Sequence, residues 1–362
     1  MRIAQVATNV ESVPPEGYGG TELVVHLLTE ELIRRGHDVT LFATANSKTS
    51  ARLIPTVSHP LRTDPNSKPT QWSAYDMKTC LKLTDRQDEF DIVHNHLGYH
   101  AFPFLDNIRP AVLSTNHNPV KDYCKDIYLA YKYLPFVSIS DAYRSLNYPN
   151  DLNYVATVYN GIETRDFKSA PENERNYLLF IGRLGKDKGT AEAIDIAKAL
   201  DLPLKLAGKI DDADRAYFNV HVKPRLDAYP KAEYVGEVNA EQKRELYARA
   251  LAVVYPINFD EPFGLVMVEA LASGTPVMAM ERGSVSEILV DKKTAIVARS
   301  VTELISRFPE IAGINRTDCI EHVNRLFTVK HMVDGYEKVY EELIAKKRSG
   351  RLIASPIGVL LS

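Results

Sequence analysis

The chain has 362 residues, 45% of them hydrophobic and 25% charged, with a net charge of −3: an ordinary globular balance, in a chain too long for a single core. The first 170 residues hold 17 Lys and Arg against 19 Asp and Glu and the remainder 27 against 28, so neither half carries the basic surplus that nucleic acid demands. The three cysteines, Cys80, Cys124 and Cys319, share no metal-type spacing, which fits a reducing cytoplasm, and no apolar run reaches membrane-spanning length.

Met1 to Ala7 is strand-like rather than a signal peptide, with the strand over Ile3 to Thr8. Pro14-Pro15-Glu16-Gly17-Tyr18-Gly19-Gly20-Thr21-Glu22 leads into a helix over Thr21 to Arg35. Gly19 and Gly20 either let backbone N–H groups approach an anion at the helix start or only make the turn. A strand at Val39 to Ala43 follows, then an irregular excursion over residues 46 to 71. Short buried strands are expected at Ile92-Val93, Ala111 to Leu113, Phe136 to Ser138 and Val155 to Val158. A polar stretch from Glu163 to Asn176 separates this half from the next.

The pattern then restarts. Strands are expected at Tyr177 to Ile181, Leu204 to Ala207, Leu251 to Tyr255 and Pro276 to Met280, with helices over Thr190 to Leu200 and Ala240 to Ala250. Alternation of this kind predicts an α/β protein with two doubly wound parallel sheets, whose ligands sit beyond the carboxyl ends of the strands in a cleft between domains. The expected divisions are 1–170, 171–328 and 329–362. The last opens with a helix over Val329 to Lys347 that has Met332, Tyr336, Val339, Tyr340 and Leu343 on one side. The basic stretch Lys346 to Arg351, followed by Leu352-Ile353, reads as a solvated or helix-capping end, with an anionic membrane as the other reading.

The richest segment is Asp260-Glu261-Pro262-Phe263-Gly264-Leu265-Val266-Met267-Val268-Glu269-Ala270-Leu271-Ala272-Ser273-Gly274. A helix over residues 262 to 274 would be apolar on nearly every face except at Glu269, so it should be buried and Glu269 should meet hydrogen-bond donors. Helical rise would set Glu261 and Glu269 roughly 12 Å apart, suiting two hydroxyl-bearing rings joined by a charged bridge at the helix start. A core helix that satisfies its own glutamate is the plainer alternative. Upstream, Phe180-Ile181-Gly182-Arg183-Leu184-Gly185-Lys186-Asp187-Lys188-Gly189 combines strand, Gly-rich turn and helix start. This is a phosphate cradle or else a solvated turn, and it fits neither the Walker nor the dinucleotide spacing.

Together these segments resemble the retaining glycosyltransferases of family 4, with the GT-B fold, over nearly the whole length. Glu261 to Glu269 matches the family's glutamate pair, and Gly182-Arg183-Leu184 with Lys188-Gly189 its cationic turn. Gly19-Gly20, Asp91-Ile92-Val93-His94, His117, Asn160-Gly161-Ile162, Gly208 and the closing helix support the match. The resemblance implies that Arg183 and Lys188, beside Gly182, bind the diphosphate of a nucleotide-sugar donor and that Glu269 holds the ribose. Glu261 and the N–H groups of Phe263, Gly264 and Leu265 would hold the transferred sugar, with His117 near it. Gly20 would lie at the diphosphate or acceptor edge.

It further implies a cytoplasmic, metal-independent enzyme without a cofactor, moving glucose from UDP-glucose with retention to a small-molecule or glycan hydroxyl. The variants Pro256-Ile257-Asn258-Phe259 and Tyr18-Gly19-Gly20 resemble a bacterial subgroup that includes UDP-glucose:tetrahydrobiopterin glucosyltransferases. Gly283-Ser284-Val285-Ser286-Glu287 departs from the usual two glycines and leaves a donor contact near Ser284 open. A nucleotide-sugar epimerase and a non-catalytic sugar-nucleotide-binding protein are the rivals.

Three features point elsewhere. His94-Asn95-His96 with His100 invites a metal but lacks completing ligands. Asp212-Ala213-Asp214 reads as a solvated loop, and Lys209 lacks a phosphorylase setting. Trp72, Tyr75, Tyr99, Phe102, Tyr123 and Tyr128 either line an acceptor pocket or are ordinary core.

Overall fold

The computed structural model describes residues 1–17, 19–146 and 151–350. Tyr18 and the part of the basic tail from Arg351 onward lie outside the described residues. Two compact units emerge. The first comprises the described residues of Met1–Ile139, Arg144–Gly161 and Val329–Ser362, and the second Ser140–Tyr143 with Ile162–Thr328. Among the described residues no helix is long and apolar enough to cross a membrane.

In the first unit, seven parallel strands run in the order β3-β2-β1-β4-β5-β6-β7. They are β1 (Arg2–Val6), β2 (Asp38–Ala43), β3 (Arg52–Pro55), β4 (Ile92–Asn95), β5 (Ala111–Asn116), β6 (Phe136–Ser138) and β7 (Tyr154–Thr157). The order reverses between β1 and β4, so the chain after β1 and after β4 leaves at the point where open α/β sheets bind ligands. Ile3, Ala4, Val6, Ile92 and Val93 are wholly buried, as strands covered on both faces require. The Gly20–Arg34 helix buries Val24, Val25, Leu28 and Leu32. Phe102 forms edge contacts with Tyr128 and Phe136, so these aromatics are core, whereas Tyr123 is 79% exposed.

The second unit has six parallel strands, in the order β10-β9-β8-β11-β12-β13. They are β8 (Tyr177–Ile181), β9 (Leu204–Ala207), β10 (Ala232–Gly236), β11 (Ala250–Tyr255), β12 (Val277–Met280) and β13 (Ala295–Ala298). Its reversal lies between β8 and β11. The Gly-rich turn leaves β8 and the Glu261 loop leaves β11, so topology alone brings them together.

Several elements lie outside the sequence expectation, among them β10, β13 and the following two. The excursion at 46–71 contains β3, a short edge strand that pairs only with β2 and is half exposed, so it carries no apolar run to announce it. The glutamate helix spans Leu265–Ala272, starting three residues after the expected Pro262, so the helical-rise separation does not extend to Glu261.

The C-terminal helix, Val329–Arg348, packs within the first unit. It buries Val329, Met332, Val333, Tyr336, Val339, Tyr340, Leu343 and Ile344, a stripe at helical spacing. Gly161 N–H approaches Met332 Sδ at 3.3 Å, Arg35 Nη1 pairs with Asp334 at 2.6 Å, and His37 meets Glu337 at 2.7 Å. Removing that many large side chains forfeits on the order of 10 kcal/mol of burial, comparable to a whole domain's stability. A chain ending at Thr328 should therefore lose the first unit's fold, read as hydrogen exchange without slow amides in β1 and β4. Retained protection there would contradict this packing.

Candidate active site

The second unit assembles two buried carboxylates and two cations at the ends of β8 and β11. Glu261 is 8% exposed, and its Oε2 accepts from Lys188 Nζ at 3.1 Å and Tyr255 hydroxyl at 2.5 Å. Lys188 Nζ also lies 4.3 Å from the Phe259 ring centroid, where the ring face favours a cation. The Gly182–Gly189 turn is clamped to the same loop. Asn258 N–H donates to Asp187 carbonyl at 2.7 Å, and a Cβ at Gly189 (φ 72°) would stand 1.9 Å from Pro256 oxygen. Only glycine permits that approach.

Arg183 is held by carboxylates rather than left open. Its Nη1 pairs with Asp214 and its Nη2 with Asp187, while Asp211 lies 4.0 Å from Nε. The Asp212-Ala213-Asp214 segment is therefore not merely solvated. Asp212 faces water beside Arg215, but Asp214 engages Arg183. A diphosphate reaching the guanidinium competes with these aspartates.

Glu269 sits in the buried Leu265–Ala272 helix, 4% exposed. Its Oε1 accepts from Lys243 Nζ at 2.5 Å and its Oε2 from Tyr247 hydroxyl at 2.9 Å, both from the Ala240–Ala248 helix at i,i+4 spacing. Burial, reinforced by the Glu269 charge, pushes the Tyr247 phenol well above its ordinary range, so it stays a donor.

Residues 261–263 remain outside the helix because their carbonyls are engaged elsewhere. Glu261 carbonyl accepts from Ser284 N–H at 2.9 Å, Pro262 carbonyl from Ser140 hydroxyl at 2.6 Å, and Phe263 carbonyl from Ser284 hydroxyl at 3.0 Å. The Phe263 ring packs edge-on against Phe327. The N–H of Ser284, open in the sequence reading, is thus committed to Glu261. Gly264 caps the helix in left-handed conformation, its carbonyl accepting from Met267 N–H at 2.9 Å, and the helical ladder supplies no acceptor to the N–H groups of Leu265 and Val266.

In the first unit, Gly20 opens its helix, and Glu22 on the first turn accepts from Thr8 hydroxyl. His117 follows β5 and is half buried, its Nε2 2.9 Å from His96 Nδ1. The His94 and His96 rings lie tilted at 45° to each other with centroids 3.9 Å apart. Burial holds the His117 imidazole down to about 4, and burial with neighbouring histidines holds His94 and His96 well below the usual range. All four nitrogens of His94 and His96 are hydrogen-bonded, and among the described residues no group of three or more ligand side chains could hold a metal ion.

With this geometry in view, comparison with known proteins is informative. The model for glycosyl transferases group 1 matches residues 161–308, and that for glycosyltransferase family 4 matches residues 18–165. The chain belongs to the family 4 glycosyltransferases. An uncharacterized glycosyltransferase of Methanocaldococcus jannaschii is 26% identical over 333 residues, covering 80% of this chain and 83% of the relative. The sucrose-phosphate synthase of Thermosynechococcus elongatus has 18% identity and a TM-score of 0.78, covering 95% of this chain and 99% of its own. HepE of Anabaena, solved in complex with UDP-glucose, has 14% identity and a TM-score of 0.73, covering 94% and 100%. These structures share the GT-B fold with this family 4 chain.

Sequence reasoning missed Lys243, Tyr247, Tyr255, Asp187 and Asp214. The Lys243–Tyr247 spacing was a usable signal, because a buried glutamate demands donors from a neighbouring helix. The aspartates had none, since loop aspartates are common.

Two predictions follow from the packing. Because a Cβ at Gly283 (φ 55°) would stand 2.3 Å from Glu261 nitrogen, Gly283→Ala should cost roughly 2 kcal/mol or more and displace Glu261. Denaturant titration checks this, and an unchanged midpoint would contradict it. The second concerns acid. Above pH 6.5 both folded and unfolded chains keep His117 neutral, but between 6.5 and about 4 only the unfolded chain takes up that proton. Stability contributed by His117 should therefore fall across that window, and His117→Gln should flatten the slope of melting temperature against pH. An identical slope in the variant would count against it.

Proposed function

We propose that the protein transfers a hexose from a nucleotide-diphosphate sugar to a hydroxyl of a small-molecule or glycan acceptor, with glucose as the sugar and UDP-glucose as the donor. Retention of anomeric configuration and independence of metal belong to the same reading. The observation that carries it is that buried Glu261 and Glu269, Lys188, Arg183 and the start of the Leu265–Ala272 helix all belong to one unit, with Lys188 on Glu261. Glu269 would take the ribose hydroxyls in addition to Lys243 and Tyr247. Arg183 and Lys188 would take the diphosphate, with the N–H groups of Phe263, Gly264 and Leu265 and the Glu261 carboxylate on the sugar side. Gly20 and Gly182 would give backbone room to the donor, and His117 would serve the transferred sugar.

In this scheme the bond from the anomeric carbon to the phosphate oxygen breaks as negative charge grows on the departing diphosphate. Lys188, the helix start and Arg183, once the diphosphate has taken it from an aspartate, stabilise that charge. The acceptor hydroxyl bonds to the anomeric carbon from the face the diphosphate leaves, and its proton passes to a phosphate oxygen. No protein nucleophile is needed. Glu261, already accepting from Lys188 and Tyr255, acts by binding. The charge the leaving group develops is met by side-chain cations, the basis for proposing a metal-independent reaction.

The test is incubation with a panel of nucleotide sugars and mass analysis. Free nucleoside diphosphate with a glycosylated acceptor supports the reading, whereas an epimerised donor or binding without turnover contradicts it. Glu269→Ala should weaken donor binding roughly 10- to 100-fold by titration calorimetry, the worth of hydrogen bonds to a charged group. Arg183→Ala should lower kcat by roughly 100-fold or more. Near-normal constants in either variant would count against the site.

A further inference from the structure

We propose that Gln5 and Tyr340 are positioning residues that determine, through His96, which nitrogen of His117 carries its proton. The argument is a chain of hydrogen bonds that lies wholly within the first unit. His117 Nε2 is 2.9 Å from His96 Nδ1, and His96 Nε2 is 2.9 Å from Gln5 Oε1. Gln5 Nε2 donates to Tyr340 hydroxyl at 3.0 Å, which lies 2.7 Å from His94 Nδ1. His94 Nε2 meets Thr115 hydroxyl at 2.7 Å, and Thr115 meets Tyr336 at 3.0 Å. Gln5, His94, His96, Thr115, Tyr336 and Tyr340 are all buried, so none can exchange its partner for water.

A neutral imidazole has one donor and one acceptor nitrogen, which gives the chain a direction. An amide oxygen only accepts, so His96 Nε2 bears hydrogen and His96 Nδ1 is a lone pair. His117 must then donate through Nε2, and its Nδ1 is left as an acceptor. Turning the Gln5 amide over would place an N–H against His96 and reverse every member. With the amide N–H donated to the Tyr340 hydroxyl, that hydroxyl keeps its own hydrogen for His94 Nδ1, so the same direction runs on to His94. Tyr340 is the partner that the amide N–H would lack without it. The C-terminal helix thus reaches through β1 and β4 to the histidine at the end of β5.

The catalytic meaning rests on the proposed placement of the transferred sugar at His117, where an acceptor nitrogen receives a sugar hydroxyl and the wrong tautomer offers it a second hydrogen. The tautomer itself does not depend on that placement. The experiment is a two-bond ¹H–¹⁵N correlation of imidazole-labelled full-length protein at pH 7, with His117 assigned through His117→Gln. Wild type should show His117 neutral and protonated on Nε2. Tyr340→Phe, which keeps the ring, should bring in the Nδ1-protonated form and lower kcat between about two- and tenfold, leaving donor affinity unchanged. Wild-type His117 protonated on Nδ1 or on both nitrogens overturns the proposal, as does an unmoved tautomer in a folded Tyr340→Phe. A shifted tautomer with unmoved kcat instead upholds the chain of bonds and removes the sugar from His117.

Discussion

A carboxylate taken out of water must be given donors, and that constraint organises the second unit. On a helix built from Leu, Val, Met and Ala, Glu269 has nowhere polar to turn, so Lys243 and Tyr247 come to it from the neighbouring helix. Glu261 is met in the same way by Lys188 and Tyr255. Each carboxylate is thereby fixed in orientation as well as compensated, an arrangement that suits the proposed role of presenting oxygen to donor hydroxyls. Arg183 shows the complementary arrangement, a cation held by aspartates at the turn after β8. The unit is charged on the inside and balanced, with partners that an incoming anion or hydroxyl can join or displace.

The backbone enforces the same geometry. Ser284 pins the non-helical segment 261–263 through hydrogen bonds to the Glu261 and Phe263 carbonyls, and a Cβ at Gly283 would collide with the Glu261 backbone. The helix accordingly begins at Leu265, and its ladder supplies no acceptor to the amides of Leu265 and Val266, a few residues from Glu261.

Much of this was legible in the sequence, for identifiable reasons. Continuous apolar runs announced β8 and β11 because strands covered on both faces have no polar side. Glu269 announced itself by contrast with its neighbours. What stayed hidden depends on contacts between distant residues: β3 is an edge strand without an apolar run, and the late start of the glutamate helix is decided by Ser140 and Ser284. Proline at 262 suggested a helix start because proline suits the first turn, but the neighbouring carbonyls were already engaged. In the first unit, the spacing of His94 and His96 invited a metal, but the sequence offered no ligands to complete a site and no other task for the pair. They are instead members of a buried hydrogen-bond chain completed by Tyr336 and Tyr340, more than 200 positions away in sequence.

The most direct test of the account is a crystal structure of the protein with UDP-glucose bound. The account predicts ribose hydroxyls within hydrogen-bond distance of the Glu269 carboxylate and diphosphate oxygens on Lys188 and Arg183, with at least one aspartate displaced from the guanidinium. A nucleotide bound elsewhere, with Glu269 still held only by Lys243 and Tyr247, would contradict it.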